Sequence, residues 1–150
     1  MNTLKIFVAT MTGTANGQAA QDNLDSSEKI ALGGPNGVRG WPVGEASGDS
    51  GAVLSVEWRK ALGAQASTGL TFSAFADSGH ITQHKNLWAT ALPAGQPNSY
   101  KLSSIGIGLS YQAGRDWSLS AQLARGLGNN PGRNLATGAN SNGRTRNTQL

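Results

Sequence analysis

Cysteine is absent from this chain of 150 residues, which excludes both a disulfide framework and a thiolate metal site. Charge is scarce as well: Asp, Glu, Lys and Arg make up 13% of the chain, where soluble domains carry about a quarter. The formal net charge is +4, yet apart from Arg133, Arg144 and Arg146 the basic residues are scattered. No aromatic platform or recognition motif accompanies them, so nucleic-acid binding is not expected. No apolar run approaches the roughly 18 residues of a membrane helix. The opening MNTLKIFVATMTGTANGQA has the outline of a secretory leader, with Lys5 before IFVATMT. Its apolar part is short and broken by Thr10 and Thr12, and a strand is the better reading.

What is abundant is glycine, 21 of 150 residues, spread among segments that alternate with period two and suit one β-rich domain. Leu4 to Gln18 reads as a first strand, with Leu4, Ile6 and Val8 on one face and Phe7 and Met11 on the other. AQDNLDSS (Ala20 to Ser27) is turn material, and Glu28 to Gly33 begins a short strand. AVLSVEWR sets Ala52, Leu54, Val56 and Trp58 against Val53, Ser55, Glu57 and Arg59. LTFSAFADSG sets Leu70, Phe72, Ala74 and Ala76 against Ser73, Phe75, Asp77 and Gly79. From Ile81 to Ser99, with Pro93, Gly95 and Pro97, a long loop is expected. LSSIGIGLSYQ then sets Ile105, Ile107, Leu109 and Tyr111 against Gly106, Gly108 and Ser110. After a tight turn at Ala113 to Asp116, WSLSAQLA sets Trp117, Leu119, Ala121 and Leu123 against Ser118, Ser120 and Gln122. Gly126 to Arg146 is a polar loop, and Thr145 to Leu150 looks like the beginning of one more strand.

Connections are expected to be short after Gln18, Leu62 and Gln112 and long after Gly33, Gly79 and Leu123. That asymmetry, with one apolar and one small or polar face, is the signature of a transmembrane β-barrel. A soluble β-sandwich also alternates but has no reason to gather its long loops at one end. Six full strands do not close a bacterial barrel, which begins at about eight. An open edge in lipid leaves backbone groups unpaired, so the segment is not expected to insert alone.

The longest feature is LDSSEKIALGGPNGVRGWPVGEASGDSGAVLSVEWR, Leu24 to Arg59. Loops beyond about 12–15 residues are usually functional or disordered, and this one carries a single central arginine, Arg39. The stretch resembles the VRGY region of the outer-membrane translocators of two-partner secretion, the haemolysin and filamentous-haemagglutinin transporters of the BamA-like superfamily. Val38, Arg39, Gly40 and Trp41 stand at the motif, with Trp41 where an aromatic, most often Tyr, is usual. FADSG, with Phe75, Asp77 and Gly79, resembles the family's F-x-D-x-G motif.

The resemblance implies an all-β fold: the C-terminal part, about six to seven antiparallel strands, of a 16-stranded transmembrane β-barrel whose sixth extracellular loop folds into the lumen. By resemblance the segment would cover strands ten to fifteen and the start of sixteen. The plug helix, the periplasmic polypeptide-transport-associated (POTRA) domains, the first strands and the last strand would lie outside it, as in a piece of a longer reading frame or a decayed gene. Asp77 would pair with Arg39 and lock the loop, and Glu57 and Arg59 are candidates for a wider lumen network. Without the resemblance, Arg39 reads as a solvated loop arginine and Asp77 as a strand-end cap. Gly33, Gly34, Gly37 and Gly40 would supply positive φ and close approach to the wall.

Other motifs carry less. GDSG (Gly48 to Gly51) resembles a serine-protease nucleophile segment, but no motif places a histidine base beside it. In HITQH, His80 and His84 on a strand would stand about 13 Å apart, too far to share an ion. Gly106 and Gly108 lack the third glycine, helix and downstream acid of a dinucleotide site. No enzyme activity, metal or cofactor is expected. Trp58 and Trp117 suit a lipid-facing aromatic girdle, Trp41 the inner loop and Trp88 an outer one.

The expected function is passage of a large exoprotein of the haemolysin or adhesin type across the outer membrane of a Gram-negative bacterium. Its partners would be that exoprotein, recognised by the POTRA domains, the outer-membrane lipids and the remaining barrel strands. A BamA-like insertase and a soluble β-sandwich binding module are the alternatives; the LDSSEK stretch and the GEASGDSG limb favour export over insertion.

Overall fold

The computed structural model describes residues 9–62, 68–114, 116–145 and 148–149. Five long strands follow one another, β1 (Ala9–Gln18), β4 (Ser50–Ala61), β5 (Thr68–Thr82), β6 (Ser99–Ala113) and β7 (Trp117–Leu127), and β8 (Thr148–Gln149) begins a sixth. Each pairs antiparallel with the next, in the order β1-β4-β5-β6-β7-β8. The short strands β2 (Ile30–Ala31) and β3 (Ser47–Gly48) form a separate two-stranded ladder between β1 and β4. No described helix is long and apolar enough to cross a membrane, which says nothing of crossing by strands.

The register divides the sheet into two faces. Met11, Trp58, Ala74, Ile107 and Leu123 lie in one row across five strands. That face carries the exposed large apolar side chains, among them Leu54, Ile105, Leu109, Tyr111, Trp117 and Leu119. A sandwich would bury such a face under a second sheet; a lipid-facing wall leaves it bare. The opposite face is polar at one end, through Thr10, Thr12, Thr14 and Glu57, and covered by the glycine-rich loop at the other.

Three boundaries differ from the sequence reading. The segment expected as a strand from Glu28 to Gly33 pairs only at Ile30 and Ala31, and with Ser47 and Gly48 rather than with the main sheet. Residues 19–49 are therefore one connection, and Gln18 stands at its long-loop end, not before a short turn. Strand β5 continues to Thr82, taking in Ile81, which the proline-rich loop had claimed. Ile81 pairs with Gly51 and Tyr100 and its side chain is fully buried beneath the loop. Strand β7 likewise runs on to Leu127. The long connections 19–49, 83–98 and 128–147 share one end of the sheet, and the short ones, 62–67 and 114–116, share the other. Leu4, Ile6, Phe7 and Val8 lie outside the described residues, as do parts of the Gly63 to Gly69 connection, the turn before Trp117 and the Thr145 to Leu150 strand.

Candidate functional site

The loop 19–49 folds back onto the polar face as a compact hairpin. Leu32 and Gly33 donate to Ala46 O and Glu45 O at 3.3 and 3.0 Å, and Gly34 donates to Trp41 O at 3.1 Å. Val38 returns to donate to Leu32 O at 2.7 Å. Gly34 alone among the four loop glycines singled out takes a positive φ, 117°; the others serve close approach. This tight fold turns Leu32, Val38, Trp41 and Ala46 to one side, against Val53 of β4, Ile81 of β5 and Tyr100 and Leu102 of β6. The result is a small apolar core between loop and wall.

The residues of the two sequence motifs meet pairwise across that interface. Arg39 Nη2 donates to Asp77 Oδ1 at 2.7 Å, Arg39 Nε to Oδ2 at 3.1 Å, and the Arg39 backbone N–H to Oδ2 at 3.1 Å. Ser104 Oγ donates to the same Oδ2 at 2.9 Å. The guanidinium carbon lies 3.4 Å from the centroid of the Phe75 ring, a cation–π contact. Arg39 Nη1 pairs with Glu57 Oε2 at 2.7 Å, and Glu57 Oε1 accepts from Arg59 Nε at 2.6 Å. Burial works against the guanidinium's charge, but the bonds and charges of Asp77 and Glu57 hold its pKa above the ordinary value. The arrangement is a forked charge pair with an aromatic platform and a second carboxylate behind it.

Glycine completes the fit at two positions. A Cβ at Gly79 would lie 3.0 Å from Val38 and 3.1 Å from Leu32, so the loop needs that bare backbone to settle. A Cβ at Gly40 would strike the Gly126 backbone and come within 2.7 Å of Ser104 Cβ. Overpacking of this kind costs about 1–3 kcal/mol. Gly40→Ala is therefore expected to speed trypsin cleavage after Arg39 roughly tenfold, measured against the parent protein. Unchanged cleavage would show that Gly40 has room to spare.

Trp41 is 1% exposed and its Nε1 donates to Ser103 O at 2.9 Å. Two buried carboxylates outside the motifs add further attachments. Asp49, which the sequence reading left as part of the descending limb, accepts from Leu24 N at 3.2 Å and Lys85 N at 2.8 Å and pairs with Lys29 at 2.9 Å. Burial alone would raise its pKa; the Lys85 N–H and the Lys29 ammonium hold it below the usual carboxylate range. Glu45 meets Asn130 and Ser141 of the 128–147 connection. Ser104, Glu45 and Asn130 were not foreseen. Ser104 shares the inward parity of Gly106 and so had a signal, whereas Glu45 and Asn130 have none at their sequence separation.

The remaining motifs fall away on geometry. Ser50 Oγ of GDSG accepts the Ala20 N–H at 2.9 Å. His80 pairs by register with Lys101 on the outer face, and His84 stacks edge-on against Trp88 at 4.7 Å. Among the described residues no group of three acids, histidines or cysteines gathers as a metal site. Gly106 leaves room for the Phe75 ring, which a Cβ there would overlap. Trp58 and Trp117 are exposed on the outer face and Trp88 on the 83–98 connection.

A loop pinned by an arginine fork to the inner wall of an outward-apolar sheet is the observation that comparison with known proteins can place. Residues 8–110 match the family model described as haemolysin secretion/activation protein ShlB/FhaC/HecB. The chain belongs to this family. It is 37% identical over 115 residues to the heme/hemopexin transporter protein HuxB of Haemophilus influenzae strain 86-028NP, covering 77% of this chain and 20% of that relative. The same protein from strain ATCC 51907 / DSM 11121 / KW20 / Rd is 38% identical over 115 residues, with equal coverage. The chain thus spans about a fifth of the length of the curated relatives it matches. No solved structure matches. Members of the ShlB/FhaC/HecB family are two-partner secretion transporters of the Gram-negative outer membrane.

Proposed function

We propose that this chain is the part of a two-partner secretion translocator that seats the in-folded loop against the barrel wall, and that Arg39 and Asp77 form the latch of that loop. The intact protein would pass one large exoprotein, unfolded, through the lumen to the cell surface, without ATP at that membrane and without enzymatic chemistry. Its POTRA domains would select the cargo in the periplasm. The observation that carries this reading is the forked Arg39–Asp77 pair, because it joins a mobile kind of element to a rigid one through charges that water can reclaim when they part.

The rest of the inner face suits the task. Thr10, Thr12, Thr71, Ser110, Ser120 and Gln122 border an open recess on the sheet. Hydroxyl and amide groups can trade bonds with an extended backbone whatever its sequence. The family match supports a secreted exoprotein as cargo; a haemolysin or adhesin type is inferred from the motif resemblance, and likeness to heme/hemopexin transporter proteins favours a cargo tied to heme or hemopexin.

The test is complementation. A strain lacking the transporter is given the intact gene, and the exoprotein encoded beside it is followed in periplasm and medium. Export is expected only in the complemented strain, with outer-membrane porin levels equal in both. Loss of porin assembly without the gene would instead establish the insertase alternative, and export without the gene would remove the transport role.

A further inference from the structure

We propose that Glu45 is a positioning residue of a second latch, which ties the outer turn of the loop to the 128–147 connection and must open together with the Arg39–Asp77 fork. The inference rests on the loop-release reading above. Glu45 is 4% exposed and Asn130 2% exposed. Glu45 Oε1 accepts from Asn130 Nδ2 at 2.5 Å and Oε2 from the Ser141 N–H at 2.7 Å. The Asn130 amide also donates to Asn140 Oδ1 at 3.1 Å and accepts from the Gly132 N–H at 2.9 Å. One side chain thus binds the loop to both limbs of a surface connection that is remote in sequence.

The chemistry differs from that of the fork. Asn130 and Ser141 of the 128–147 connection bind the Glu45 carboxylate as neutral donors. A buried charge held this way is costly to bury and readily rehydrated, which suits an attachment that opens. It also makes that connection a partner in release: displacement of 128–147 from outside removes both donors at once. Gly40, packed on Arg125 and Gly126 at the root of the same connection, places the fork and this second contact on one lever.

Basal ion conductance of the intact transporter in planar bilayers reads the latch directly. Glu45→Ala and Asn130→Ala are each expected to raise the open fraction about tenfold without exoprotein, since each removes a charge-assisted hydrogen bond that holds the loop. In Glu45→Gln/Asn130→Asp the donor moves to position 45 and the acceptor to position 130, and conductance should fall back most of the way to the parent value, only the bond to Asn140 being lost. Glu45→Cys/Ser141→Cys, bridged by a bifunctional maleimide, should hold the pore closed and block export even if the alanine variants insert poorly. No recovery in the exchanged pair, or export through the bridged protein, would overturn the latch. Arg39→Ala in the same bilayers separates the two ideas. If it opens the pore and the Glu45 variants do not, only this inference fails; if it too is silent, the loop-release reading fails.

Discussion

Arg39→Ala in the intact transporter should cut exoprotein export at least tenfold while the barrel still reaches the outer membrane. The guanidinium touches Asp77, Glu57 and the Phe75 ring together. Its side chain is 11% exposed and that of Asp77 is fully covered. Removing one partner of a buried pair costs about 3–5 kcal/mol because the other charge is stranded. Asp77 would keep the Arg39 backbone N–H and the Ser104 hydroxyl, so the lower end of that range applies. Even about 3 kcal/mol shifts a two-state equilibrium more than a hundredfold, enough to empty the seated state of the loop. Insertion survives because the strands are held by main-chain ladders that Arg39 does not enter. Arg39→Lys should recover little, since an ammonium cannot fork across both carboxylate oxygens or lie flat on the ring. Immunoblots of exoprotein in the medium, normalised to transporter in the outer membrane, decide it; normal export from Arg39→Ala would sink the latch.

Asp77→Ala is the milder change for the same reason. Arg39 would retain Glu57 and the Phe75 face and border an aqueous lumen, so its charge stays solvated. Comparing the two variants therefore separates the loss of the fork from the stranding of an acid. Equal effects would mean that the pair matters only as a pair.

Much of this geometry was legible because a pleated strand allows no ambiguity of side once two residues are placed. Alternation put Glu57, Phe75 and Asp77 on one face, and the antiparallel register then sets Glu57 directly opposite Phe75. The identity of Asp77 as the partner of Arg39 was a different matter: no local pattern links residues so far apart, and it came from the resemblance of FADSG and VRGW to family motifs. Ile81 was lost to the loop because Gly79, His80 and the prolines downstream read as a break, although Ser73, Phe75, Asp77, Gly79 and Ile81 keep strict parity. The strand from Glu28 failed because its pairing partner, Ser47 and Gly48, is brought to it only when the whole loop closes. Glu45 was invisible for the strongest version of that reason. Its donors lie beyond four further long strands, and a Gly-Glu-Ala sequence in a glycine-rich stretch looks like ordinary solvated turn.

Trp41→Ala should release the loop as fully as Arg39→Ala does, but chiefly through packing. The indole is the largest fully buried side chain among the described residues and belongs to the cluster that joins Leu32 and Val38 to Ile81 and Leu102. Truncating a buried Trp to Ala costs about 3–5 kcal/mol, and the Ser103 carbonyl loses its indole donor as well, about 1 kcal/mol more. Trp41→Phe keeps most of the contact area and gives up the hydrogen bond, so its effect should be near that smaller figure. Trypsin cleavage after Arg39 is the readout, with Trp41→Ala speeding it at least a hundredfold and Trp41→Phe by no more than about tenfold. Because Arg39 and Trp41 hold one rigid turn, the rise in open fraction of the double variant in planar bilayers should fall well short of the sum of the singles. Strict additivity would mean that the fork and the apolar seat act on independent parts of the loop, and that the loop does not leave the wall as a single body.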